Sequence, residues 1–109
     1  MSIMQPEGGW KITRDPVHPG EMLREEFMQP LGISLSSLAS DLHIPVTRLR
    51  DIVHERRGLT AETALRLARY FGMTAEFWMN LQKDYDLITA RKKSLKTIQK
   101  QVRRRKPAA

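Results

Sequence analysis

Hydroxyls, cations and acids held on one face of a rigid element can address the base edges and phosphates of a nucleic acid. Residues 46–57, VTRLRDIVHERR, supply such a set. On a helix advancing about 100° per residue, with Val46 at 0°, Leu49, Ile52 and Val53 fall near 300°, 240° and 340°. Thr47, Arg50, Asp51 and His54 fall at about 100°, 40°, 140° and 80°, on the opposite side. Arg50 suits a bidentate pair with a guanine edge. Thr47 offers a hydroxyl, and its methyl or that of Val46 can meet a thymine methyl. Val46 and Arg48 flank this face. The competing reading makes Arg50 and Asp51 solvated surface charges.

Arg56 and Arg57 follow in a turn with Gly58, within reach of a phosphate. Ser34, Ser36 and Ser37 open another segment, where free N–H groups at a helix start could hold a second phosphate. Ser34 is equally suited to a plain N-cap, a role compatible with that one. Glu21, Glu25 and Glu26 are read either as a solvated helix face or as an acidic surface that meets a basic partner.

Catalysis finds no such support. The chain lacks Cys and a Gly-x-Ser-x-Gly elbow, and His18, His43 and His54 have no metal-ligand spacing. Asp84 and Asp86 lack the glycine and distal Glu of a calcium loop. The expectation is no enzyme, no cofactor and no metal.

These side chains need short helices to position them. A first helix is expected over residues 19–29, with Pro19 in its first turn, Leu23 and Phe27 inward, and Pro30 ending it. Ser34 caps a second, in which Leu35, Leu38, Ala39 and Leu42 keep helical spacing until His43 breaks it. Pro45 starts a third over residues 46–55, which Gly58 stops. Thr60 caps a fourth, carrying Ala64, Leu67, Ala68 and Phe71 and closed by Gly72. Thr74 caps a fifth with Phe77, Trp78 and Leu81; Trp78 reads as core, while the fifth helix is also a candidate dimer interface. This is an all-α, five-helix reading, in which the second and third helices are close enough to form a helix-turn-helix.

The 109 residues suit one domain of this kind, over residues 19–90, with an N-terminal arm over 1–18 and a basic C-terminal tail over 91–109. Within the arm, residues 10–13 are the only candidate strand. The net charge of +7 is unevenly placed. Nine of the 19 Lys and Arg lie in residues 91–106 with no acid, leaving ten against all 12 acids in residues 1–90, a net −2. Leu95, Ile98 and Val102 keep helical spacing, so the tail either extends the fifth helix, orders on DNA or stays solvated. No apolar run is long enough for a membrane helix and no signal pattern opens the chain, so a cytoplasmic location is expected.

The run LASDLHIPVTRLRDIVHERRGLT, residues 38–60, resembles the lambda-repressor-like (XRE) helix-turn-helix family. Ala39 stands where two helices approach closely, Ile44 follows the turn, and Leu49 and Ile52 pin the second helix. His43 departs from the family's usual glycine, which takes a left-handed backbone there. HPGEMLREEFMQPLGIS, RRGLTAETALRLARYFG and MTAEFWMNLQKDYDL extend the resemblance to HigA-type, VapI-like antitoxins. That resemblance implies a dimeric repressor on a palindromic operator in double-stranded DNA. It also implies neutralisation of a ribonuclease toxin, which would meet Glu21, Glu25 and Glu26. A standalone regulator without a toxin shares all these features.

Overall fold

The computed structural model describes residues 15–107. The candidate strand at residues 10–13 lies outside them. Five helices follow one another, and no strand occurs among the described residues.

The first, α1, spans residues 19–31 in three parts: an α-turn over Pro19–Met22, a π-helical stretch over Leu23–Met28, and a last turn over Gln29–Leu31. His18 caps it, its Nδ1 accepting the Gly20 N–H at 2.9 Å. The expectation that Pro30 ends this helix is corrected. Proline lacks an N–H and its ring strikes the carbonyl four residues back in an α-helix. Here the turn before it is widened to π register, with Gln29 N–H donating to the Arg24 carbonyl, and the helix runs on to Leu31. Gly32, at φ +65°, ends it.

The second helix, α2 (Leu35–Leu42), closes through His43 in the left-handed region at φ 57°. His43 N–H donates to the Ser40 carbonyl and Ile44 N–H to the Ala39 carbonyl, satisfying two otherwise unpaired carbonyls. The imidazole residue thus does what glycine usually does at this place, and the third helix, α3 (Val46–Val53), begins three residues later.

The end of α3 is a second correction. It stops at Val53, short of Glu55, and Gly58 has no part in stopping it. Glu55 takes φ +64°, and the Glu55 and Arg56 N–H groups donate to the Ile52 and Asp51 carbonyls in the same type of closure. A glutamate in this region is strained, by about 1 kcal/mol. Arg24 holds it from α1: the guanidinium donates to the Val53 carbonyl and pairs with Glu55 at 3.3 Å.

The fourth helix, α4 (Ala61–Phe71), starts at Thr60, whose hydroxyl accepts the Thr63 N–H, and ends at Gly72 with φ +68°. The fifth, α5, runs over Ala75–Gln101 from a Thr74 cap and passes position 91 without a break. Extension of the fifth helix is therefore the outcome for residues 91–101. Its 27 residues make the molecule elongated, 58 × 31 × 27 Å.

The core lies where the helices meet. Leu23, Leu38, Leu49, Ile52, Leu67 and Trp78 are fully buried, drawing one or two side chains from each helix. Trp78 is core, its indole enclosed without a hydrogen-bond partner. At Gly20 the backbones of α1 and α3 come so close that a Cβ would lie 1.8 Å from the Ile52 carbonyl oxygen. The recognition-type helix is therefore seated directly on the first turn of α1.

Candidate nucleic-acid interface

Helix α3 presents the two faces expected of it. Leu49, Ile52 and Val53 are buried, while Thr47, Arg48, Arg50 and His54 are exposed and Val46 and Asp51 are half-buried. Among the described residues Arg48, Arg50 and Arg57 enter no ion pair. Their guanidinium donors are thus available to an incoming group.

Asp51 is otherwise engaged. Arg56 Nε and Nη2 both donate to its Oδ1, at 3.2 and 3.0 Å. These two residues, read from the sequence as base and phosphate contacts, hold each other across the end of α3. An exposed pair of this kind stabilises by at most about 1 kcal/mol, so it is separable by a competing partner. Arg57 is the freer cation of the turn.

At the start of α2, Ser34, Ser36 and Ser37 are all exposed. The Ser34 hydroxyl accepts the Ser37 N–H at 3.1 Å, so the N-cap role is realised and one of the N–H groups expected to be free is used. The first-turn N–H groups of Leu35 and Ser36 still point out of the helix end.

Several side chains that position this surface carry no obvious signal in the sequence. Gln82, buried on α5, accepts the Leu59 N–H through Oε1 at 2.6 Å and donates from Nε2 to Asp86 at 2.9 Å. It fixes the turn that carries Arg57. Its one legible sign is a polar residue four places after Trp78, on the same inward stripe. Arg24 ties α1 to the last turn of α3, as described above. His18 is buried against Tyr85, ring centroids 4.7 Å apart. Burial pushes its imidazole below the ordinary value, against the upward pull of Glu55 and Asp86.

Glu21, Glu25 and Glu26 come together on the rim of a groove of about 400 Å³ that also exposes Phe77 between α1 and α5. Glu25 is partly neutralised by Arg24 at 3.1 Å. Among the described residues no three His, Cys, Asp or Glu are grouped to hold a metal, and no helix is long and apolar enough to cross a membrane.

Residues 24–78 match the helix-turn-helix family. Virulence-associated protein I of Dichelobacter nodosus is 55% identical over 71 residues, which are 65% of this chain and 66% of that protein. Antitoxin HigA of Pseudomonas aeruginosa, solved with the higBA promoter, is 45% identical, with a TM-score of 0.78 over 81% of this chain and 96% of that one. Antitoxin GraA in complex with its operator is 40% identical, with a TM-score of 0.82 over 90% of this chain and 99% of its own.

The chain belongs to the HigA family of helix-turn-helix proteins.

Its helix-turn-helix pair is α2 and α3, with His43 at the left-handed position of the turn. The HigA resemblance read from residues 18–87 is therefore borne out, and so is the five-helix fold.

Proposed function

We propose that this HigA-family chain is a sequence-specific repressor that binds a palindromic operator as a dimer, with α3 in the major groove. The observation that carries the reading is the outward row Thr47, Arg48 and Arg50 on a helix seated by buried Leu49 and Ile52, in a fold whose relatives were solved on operator DNA. Arg50 and Thr47, flanked by Val46 and Arg48, read base edges. Arg57 and the serines at the head of α2 hold phosphates and set register. His54 stands on the same exposed side, and the Asp51–Arg56 pair lets go of or rearranges around the backbone it meets. Two such helices in a dimer would sit about 34 Å apart, one helical turn of DNA. The protein acts by binding and not by catalysis, in the cytoplasm where its operator lies.

The likeness to antitoxins HigA and GraA further supports a role as the antitoxin of a toxin–antitoxin pair, repressing its own operon and neutralising a ribonuclease toxin. The groove rimmed by Glu21, Glu25 and Glu26 suits the basic surface such a toxin needs to hold RNA. The standalone reading draws on a different relative: the HTH-type transcriptional regulator YbaQ of Escherichia coli, 40% identical over 77 residues.

The deciding experiment titrates the chain against duplex from upstream of its own gene and against random duplex of equal length. Preference for the upstream duplex, with half-sites one turn apart in the footprint, supports the repressor reading, and equal affinity refutes it. Co-expression with the adjacent gene product separates the two roles. A complex that Glu25→Lys with Glu26→Lys disrupts marks an antitoxin.

A further inference from the structure

The long C-terminal half of α5 has no part in the interface described above, yet it carries most of the chain's positive charge. Residues 91–106 hold nine Lys and Arg and no acid. Helix α5 continues through Gln101, and from Thr89 to Pro107 every residue except half-buried Ser94 is exposed. With residues 1–90 at net −2, the body cannot neutralise this charge. One anchor exists: Lys92 pairs with Asp15 at 3.1 Å.

The charge is sorted by face. Taking Ile88 as 0°, Lys92, Lys96, Lys100 and Lys93 fall at about 40°, 80°, 120° and 140°, a stripe about 12 Å long. Leu95 and Ile98 fall near 340° and 280°, on the other side. A straight row of cations on a rod complements a linear polyanion, and a DNA strand offers one phosphate per roughly 3.4 Å of axis. The row also leaves the body in a telling place. Gln82 of α5 holds the turn after α3 through Leu59, and Lys92 and Lys93 line a groove with Glu55 at the end of α3.

We infer that the Lys93, Lys96 and Lys100 stripe, with Arg103, Arg104 and Arg105 beyond it, grips the phosphates of duplex flanking each operator half-site. This rests on the operator-binding reading and adds reach to it. The helical part from Lys92 contributes about 14 Å and the last residues, if extended, about 16 Å, together roughly nine base pairs. The grip is sequence-blind, raising affinity without changing which operator is preferred.

The test uses the full chain and a Lys93→Gln, Lys96→Gln, Lys100→Gln triple variant, which keeps helix propensity and the Lys92–Asp15 pair. Three duplexes are titrated between 50 and 200 mM salt: the shortest operator that retains preference, that operator with ten added base pairs on each side, and a random duplex of the longer length. Three lost phosphate contacts lower the slope of log affinity against log salt by about 2.7, so wild type should lose about 40-fold more affinity than the variant over this range. That difference is expected on both long duplexes and absent on the short one. A Lys→Arg triple variant should keep the wild-type slope. Equal slopes for wild type and the Gln variant on the long duplexes overturn the proposal. So does the same loss on the short operator, which would place the lysines inside the half-site. Vesicles containing phosphatidylserine that bind wild type but not the Gln variant, with DNA slopes unchanged, would assign the stripe to a membrane surface. If wild type shows no operator preference the repressor reading fails, while the random-duplex slopes still decide this one.

Discussion

Gly20→Ala should unseat α3. The added Cβ would stand 1.8 Å from the Ile52 carbonyl oxygen and 2.8 Å from its carbon, where ordinary contact begins at 3.4 Å. The two helices must therefore part by about 1.6 Å, the difference between 3.4 and 1.8 Å. The obstacle is backbone, so no side-chain rotation relieves it. Overpacking of this kind costs about 1–3 kcal/mol and sometimes more. The new methyl also crowds His18 Nδ1, at 3.1 Å, and loss of that N-cap adds about 1 kcal/mol. Alanine's better helix propensity returns at most about 1 kcal/mol. A net loss of about 3 kcal/mol should lower the melting temperature by roughly 10–25 °C, read by circular dichroism. Gly32→Ala is the control, since its φ of +65° is strained for alanine but nothing lies within 4 Å of its Cβ. It should cost only about 1 kcal/mol. A Gly20→Ala variant as stable as wild type, or more stable, would refute the seating of α3 on α1.

Three further outcomes follow from single residues. His43→Gly should stabilise by about 0.5–1 kcal/mol in urea unfolding, because φ 57° is strained for His and free for Gly; destabilisation would contradict the left-handed turn. Gln82→Leu leaves the Leu59 N–H buried and unpaired and should cost about 1–3 kcal/mol in the same assay, whereas a neutral result would mean that amide has another partner. His18 is held below its ordinary 6.5 by burial, so the unfolded chain takes up the proton first. Stability is then full above pH 6.5 and falls as the pH drops through 6.5 towards the lowered folded value, and His18→Asn, which can still cap, should flatten that fall; identical pH profiles would exclude His18 as the cause.

Much of this arrangement is legible in residue order. Ser34, Thr60 and Thr74 all cap the helices they were expected to cap, and the two faces of α3 follow from a 100° advance per residue. Gly72 closes α4 as expected because glycine is the cheapest left-handed residue. Glu55 hides the same device, since nothing in a glutamate announces a positive φ, and its partner Arg24 is 31 residues away. Pro30 misleads for a related reason: a π-turn upstream removes the collision that normally makes proline a stop. In the interface, Asp51 and Arg56 look like two separate contacts in sequence. Only the fold around the end of α3 brings them onto each other. The extension of α5 past position 91 was one of the outcomes the spacing of Leu95, Ile98 and Val102 allowed, and local sequence alone did not choose it.

The most direct test of the account compares Arg50→Ala and Arg57→Ala on the preferred upstream duplex and on random duplex at one salt concentration. If α3 reads bases through Arg50, the first variant loses about 1–3 kcal/mol, roughly 5- to 150-fold, on the preferred duplex and little on random sequence. Arg57→Ala, which removes a phosphate contact, should weaken both duplexes alike and lower the salt slope by about 1. Equal losses on both duplexes for Arg50→Ala would contradict the assignment of α3 as the reading helix.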